Sequence, residues 1–189
     1  MENKHLSIVG FGKDRDENDF YPTPPEATEC LFKREKFGGL VWESASGNGS
    51  MSKVIERHNE CVSSDLRTDD DVYGIKGIDF LSKKLNKEVM NIITNPPYKF
   101  AEEFVKRAKI IASNKIALLL KLVFLEGIGR YEMFQDKDFP LKRVYVFCRR
   151  VKIYKQGIIG KNSGLIAYAW FVWDKEYKGS PEIGWINEY

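Results

Sequence analysis

Cysteine and histidine are scarce. The 189 residues hold three cysteines (Cys30, Cys61 and Cys148) and two histidines (His5 and His58). The cysteines are odd in number and far apart, which excludes a disulfide framework and offers no zinc-ligand spacing. No metal is expected. Long apolar runs are also missing. The longest, Ile116 to Leu125, is broken by Lys121 and is too short to span a bilayer. The N-terminal stretch MENKHLSIVGFGKDRDEND has no apolar core of the kind a signal peptide needs. These absences lead us to expect no membrane association and a cytoplasmic location, in a bacterium or a phage-infected cell.

The chain is 43% hydrophobic and 30% charged, the balance of a globular domain. Its length suits one core. Net charge is only +3, but it is unevenly spread. Residues 99–155 carry 14 Lys and Arg against 6 Asp and Glu, whereas the rest carries 16 against 21. A basic second half points to a polyanionic partner.

Residues 1–19 are polar and read as a flexible arm. Thr23 is placed to cap a helix starting at Pro24, with Glu26 completing a capping box. That helix is predicted to run to about Phe37, with Ala27, Cys30 and Leu31 on one face, and to stop at Gly38-Gly39. Strands are expected at Leu40–Glu43, Cys61–Asp65, Ile75–Ile78, Val89–Thr94 and Lys115–Leu122. Helices are expected at Ser50–His58, Phe80–Glu88 and Phe100–Ser113, the last with Phe104, Val105, Ala108, Ile111 and Ala112 at helical spacing. Arg143–Ile153 and Leu165–Trp173 read as a late strand pair around a loop from Tyr154 to Gly164. The alternation implies an α/β fold with a mostly parallel, doubly wound sheet and an antiparallel edge hairpin. No internal boundary is visible within residues 20–189.

Glu43-x-Ala45-x-Gly47-x-Gly49 joins a strand to a helix, where glycines let the backbone approach a ligand. Glu43 ends the strand, and Asp65 ends the next one, where a carboxylate accepts hydrogen bonds from a ribose. The third glycine of a dinucleotide fingerprint and the Lys-Ser/Thr of a phosphate loop are both absent. An acid entering such a turn suits a cofactor that is cationic rather than phosphorylated, and S-adenosylmethionine is of that kind. Downstream, Asp79 could accept an adenine amino group and Phe80 could pack on its ring, although a helix cap followed by a core Phe would look the same.

Asn95-Pro96-Pro97-Tyr98 follows the apolar Val89–Thr94 segment. The exocyclic nitrogen of adenine is a poor nucleophile, because its lone pair is delocalised into the ring. An Asn95 side-chain oxygen and the Pro96 carbonyl can accept its two N–H groups and redirect that pair. The two prolines, Pro96 and Pro97, fix the backbone that aims them. Tyr98 offers a face for an extruded base.

These motifs, in this order, resemble the N6-adenine DNA methyltransferases, particularly compact phage and prophage forms, over roughly residues 20–175. The resemblance rests on Tyr21-Pro22-Thr23-Pro24, the Glu43–Gly49 turn, Asp65, Asp79-Phe80 and Asn95–Tyr98. It implies a Rossmann-like class I methyltransferase fold, S-adenosylmethionine as cofactor and DNA as partner. It further implies that Tyr21 and Thr23 bind the methionine end of the cofactor, that Glu43, Ala45 and Gly47 line the methionine and ribose region, and that Asp65 holds the ribose and Asp79 and Phe80 the adenine. Ser46 stands where the family often has Cys. About 91 residues follow Tyr98, most of them needed to complete the sheet, so no large target-recognition domain is expected and specificity could come from a partner. Oligomeric state is open.

Arg149, Arg150, Lys152 and Lys155 cluster beside Tyr145, Phe147 and Tyr154, a mixture suited to phosphate contact and base stacking. Phe147 is the candidate second aromatic on the target base. Leu125 to Tyr131 could form a loop over the site. An rRNA or protein-glutamine methyltransferase would use the same acceptors, and a non-catalytic cofactor- or DNA-binding protein is the alternative of another class.

Overall fold

The computed structural model describes residues 21–85, 88–153 and 166–189. The N-terminal arm, Tyr154, Lys155, the rest of the loop to Gly164, and Leu165 lie outside them.

Seven strands form one sheet. They are β1 (Val41–Glu43), β2 (Cys61–Ser63), β3 (Val89–Thr94), β4 (Ala112–Lys121), β5 (Leu141–Phe147), β6 (Tyr168–Asp174) and β7 (Glu182–Ile186). Their order is β2-β1-β3-β4-β6-β5-β7. Every pairing is parallel except those of β6 with β4 and with β5. The expected α/β class and the antiparallel late pair are therefore present. The edge itself belongs to β7, which the sequence reading did not mark and which runs parallel to β5.

The sheet is buried on both faces because its central strands are apolar at consecutive positions. The side-chain period of two divides them. Ile116, Leu118 and Leu120 of β4, with Ala169, Phe171 and Trp173 of β6, enter one core layer. Ala117 and Leu119, with Tyr168, Trp170 and Val172, enter the other. Helix α3 (Ala101–Ile111) covers the first layer with Phe104, Val105, Ala108 and Ile111, joined by Met133 of α4 (Tyr131–Gln135). Helices α1 (Pro25–Phe32) and α2 (Ser52–Ile55) cover the second with Ala27, Cys30, Leu31, Met51 and Ile55. Trp170 Nε1 donates to the Ala27 carbonyl at 2.8 Å, which ties α1 to β6. At the end of the sheet away from the β3 exit, buried Glu35 accepts from Tyr145 (2.8 Å) and pairs with Lys115 (3.0 Å). This anchors the segment after α1.

Several expected elements differ, each for a physical reason. Helix α1 ends at Phe32 rather than Phe37, because Glu35 is drawn down to Lys115 and Tyr145. The capping box is not formed: α1 has no side-chain cap, and the Thr23 hydroxyl is engaged elsewhere. Ile75–Ile78 makes a single bridge, Ser64 to Ile75. Gly74 and Gly77, at φ +89° and +72°, end the extended run on both sides. The segment from Phe80 to Leu85 is a series of turns instead of a helix. Buried Arg107 of α3 donates to the Ser82 carbonyl (3.1 Å) and the Leu85 carbonyl, taking acceptors a helix would have used. No helix among the described residues is long and apolar enough to cross a membrane.

Candidate active site

Strands β1, β2 and β3 run the same way, so Glu43, Asp65 and Asn95 sit at one rim of the sheet. The chain moves from β1 outward to β2, then returns to lay β3 on the other side of β1. That reversal lies at the carboxyl ends of β1 and β3, the place where open α/β sheets hold their ligands.

The glycine turn forms one wall. Gly47 and Gly49 take left-handed φ values of 52° and 78°. A Cβ on Gly49 would lie 2.4 Å from the Tyr73 ring, so only glycine fits. The Gly47 amide donates to Asp65 Oδ2 at 2.7 Å and the Arg67 amide to Oδ1 at 2.8 Å. Asp65 therefore fastens the β1 turn to the end of β2, and each carboxylate oxygen keeps a lone pair for a further donor. The Ser46 hydroxyl donates to the Tyr73 carbonyl at 2.6 Å. Glu43 is fully buried and accepts from the Ser52 hydroxyl. Burial pushes its carboxyl up to about 8, with the Ser52 bond opposing and Asp65 assisting. Ala45 is half-buried against the core layer that holds α3.

The second wall is built around Asn95. Its Nδ2 donates to Thr23 Oγ1 at 3.1 Å and more distantly to the Tyr21 carbonyl at 3.4 Å. A backbone carbonyl can only accept, so the NH2 end of the amide must face Tyr21. The oxygen end, Oδ1, is thereby turned the other way. It is buried and meets no donor in hydrogen-bond geometry among the described residues. Buried acceptors are rarely left so. Ser44 Oγ and Thr94 Oγ1, at the ends of β1 and β3, are buried and unpartnered as well. Pro96 is buried and Pro97 exposed, and the Pro97 carbonyl accepts from Phe100 at 2.8 Å in a 3-10 turn at Tyr98–Phe100.

The Tyr98 ring lies 5.6 Å from Tyr168 and 6.4 Å from Tyr21, centroid to centroid, and Lys121 Nζ stands 5.0 Å over it. Burial holds its hydroxyl well above the ordinary range; the neighbouring Tyr168 adds to this and the Asn95 amide partly opposes it.

The structure thus brings two of the expected groups together: Glu43, Gly47 and Asp65 on one wall, and Tyr21, Thr23, Asn95 and Tyr98 on the other. Asp79 is exposed and spends one oxygen on the Leu81 amide at 2.9 Å, capping a turn. Phe80 is 2% exposed and packs on Trp42 and Phe104 (centroids 5.3 and 4.8 Å), which leaves no open face for an adenine. Phe147 belongs to the core layer under α1 and meets Tyr189 edge-on at 5.3 Å, so it is not presented to a base. Arg149, Arg150 and Lys152 are exposed just past β5. Because β5 runs with β3 and β4, they share the rim with Asn95.

Tyr168, Lys121, Ser44 and Thr94 were not anticipated. Lys121 carried a readable signal: the one charge inside the apolar run marks where β4 leaves the core and reaches the rim.

No protein-family model matches the chain, and no curated protein does. Solved structures do. A putative RNA methyltransferase from Pyrococcus horikoshii superposes with a TM-score of 0.62 at 15% identity, covering 89% of this chain and 93% of that one. The fold is that of the class I methyltransferases. The 23S rRNA methyltransferase ErmE shares this methyltransferase fold with a TM-score of 0.59 at 14% identity, covering 86% of this chain and 71% of that one. A modification subunit of a putative type I restriction enzyme from Vibrio vulnificus gives 0.59 at 14% identity. That match covers 91% of this chain and 48% of the other, so the chain spans about half the length of the Vibrio protein.

Proposed function

We propose that this chain is an S-adenosylmethionine-dependent methyltransferase that modifies an exocyclic amino nitrogen, the N6 of adenine in DNA. One observation carries the reading. The Asn95 amide is fixed by Thr23 and Tyr21 at the exit of β3, and its buried oxygen is left without a donor among the described residues. Such an acceptor is completed by an incoming N–H.

The residues of the other wall fit the cofactor. Left-handed Gly47 and Gly49 keep the turn free of side chains. Asp65 is held with lone pairs to spare for ribose hydroxyls. Glu43, whose burial disfavours its own charge, is stabilised by a cation brought beside it. Asp79 and Phe80, turned to local capping and core packing, do not fit the adenine role. When bound, S-adenosylmethionine supplies an electrophilic methyl group on a sulfonium.

The chain's own work is positional. Asn95 Oδ1 and the Pro96 carbonyl take the two N–H groups of the target, which frees the nitrogen lone pair to point at the methyl carbon. Tyr98, braced by Tyr168 and Lys121, supports the base. Arg149, Arg150 and Lys152 attract phosphate at the same rim. In this reading, sequence choice rests with these rim residues or with a partner.

The test is incubation with tritiated cofactor and separate DNA, RNA and protein pools, followed by nucleoside mass spectrometry. Label in N6-methyladenine of DNA, lost at least a hundredfold in Asn95→Ala while cofactor binding persists, is the expected result. Label confined to RNA or to glutamine moves the same chemistry to another substrate, and unimpaired transfer by Asn95→Ala refutes the role of the amide.

A further inference from the structure

Ile128 is 92% exposed, the most exposed of the large apolar side chains in the described residues. It is not on a loose loop. The segment after β4 turns back through Phe124, which is buried edge-on against Phe171 at 5.6 Å. Arg130 then staples the loop to itself. Its Nε donates to the Phe124 carbonyl at 2.9 Å, its Nη2 donates to the Glu126 carbonyl, and its guanidinium lies 5.0 Å over the Phe124 ring. Gly127, at φ +119°, supplies a bend that side-chain-bearing residues rarely adopt. A Cβ at Gly129 would meet nothing within 4 Å. The outcome is a braced projection with one branched aliphatic side chain at its tip and bare backbone on either side.

Val123, Leu125 and Tyr131 of the same segment are exposed as well, but Ile128 stands furthest into water, and an aliphatic side chain held there gains nothing until it enters an apolar environment. The surroundings indicate which one. The loop leaves the same rim as Asn95, just after Lys121, whose ammonium covers the Tyr98 ring. Exposed cations occupy the neighbouring strand exits: Lys99 after β3, and Arg149, Arg150 and Lys152 after β5. Glu126 and Glu132 are the acids next to the tip, and residues 99–155 as a whole are strongly basic. A polyanion with flat apolar faces inside matches this combination, and stacked base pairs are such faces.

Resting on the proposed nucleic-acid function, we propose that Ile128 is a wedge that enters the base stack of a DNA duplex beside the target and occupies the space the extruded base leaves. Unstacking is the step a duplex substrate demands and a single strand does not. The wedge therefore matters only for the duplex.

The experiment compares wild type, Ile128→Ala, Ile128→Leu and Gly127→Ala in the full chain, with tritiated cofactor. The substrates are one random-sequence DNA pool, used as duplex and after heat denaturation. Ile128→Ala should lose at least tenfold on duplex and stay within twofold on denatured DNA, with unchanged cofactor affinity. Ile128→Leu should retain duplex activity, and Gly127→Ala should follow Ile128→Ala because the tip is displaced. Equal rates on both substrates for wild type and Ile128→Ala, or an equal loss on both, overturn the wedge. So does loss of a wild-type dimer in sedimentation on Ile128→Ala, which would give the tip to a protein interface. A wild-type protein that labels neither pool refutes the nucleic-acid reading itself and removes the wedge with it.

Discussion

Thr23→Val isolates the fixation of the Asn95 amide. The valine fills nearly the same volume but cannot accept the Asn95 Nδ2 hydrogen bond of 3.1 Å. The longer contact to the Tyr21 carbonyl, at 3.4 Å, and the neighbouring Tyr98 hydroxyl then remain to hold the NH2 end of the amide. An unsatisfied buried donor costs about 1–3 kcal/mol. The amide can recover part of this by turning over, which aims Nδ2 at the target nitrogen and sets donor against donor. If about 1.4 kcal/mol of the tether is lost, the productive orientation is depleted about tenfold, and up to about a hundredfold at the upper end of that range. Thr23→Ser keeps the hydroxyl and should stay within about threefold of wild type. The readout is the single-turnover rate at saturating cofactor, together with cofactor affinity by calorimetry. A slowed rate with unchanged affinity is expected. If Thr23→Val weakens cofactor binding tenfold and leaves the saturated rate intact, then Thr23 serves the methionine end of the cofactor, as the resemblance implies, and the positioning argument fails.

Three further outcomes follow from the other wall and its supports. Asp65→Ala should weaken cofactor binding about tenfold or more by calorimetry, since it frees the Gly47 and Arg67 amides as well as the ribose acceptor; unchanged affinity would separate Asp65 from the cofactor. Glu43 has a folded-state pKa of about 8 against an ordinary 4.5, so its contribution is fully present below 4.5 and declines as pH rises toward 8. Glu43→Gln should remove that decline, on the order of a few kcal/mol over this window, seen as urea midpoints that no longer drop between pH 5 and pH 8; a slope equal to wild type would contradict the burial argument. Gly74→Ala places a Cβ 2.2 Å from the Ser63 carbonyl oxygen at φ +89°, and it should cost about 2–3 kcal/mol in denaturant unfolding. A loss under about 0.5 kcal/mol would show that the turn relaxes freely.

The order of chemical motifs was written in the sequence, because each depends on residues adjacent in the chain. Glu43 to Gly49 is a strand end followed by a glycine turn, and Asn95 to Tyr98 follows an apolar strand. Periodicity was enough for β3 and for the buried face of α3. Periodicity could not report competition for backbone groups. The Phe80–Leu85 segment has the composition of a helix, but Arg107, some 22 residues further on, takes two of its carbonyls. Thr23 has the spacing of a cap, but its hydroxyl meets Asn95, 72 positions away. Phe147 stands beside arginines in sequence, yet strand alternation turns its ring into the core while they stay on the rim. The sequence alone thus determined which strand ends carry acceptors and acids. Only the tertiary structure decided which way the Asn95 amide points, because an amide's orientation is set by whichever donors and acceptors the fold brings against it, and those come from distant parts of the chain.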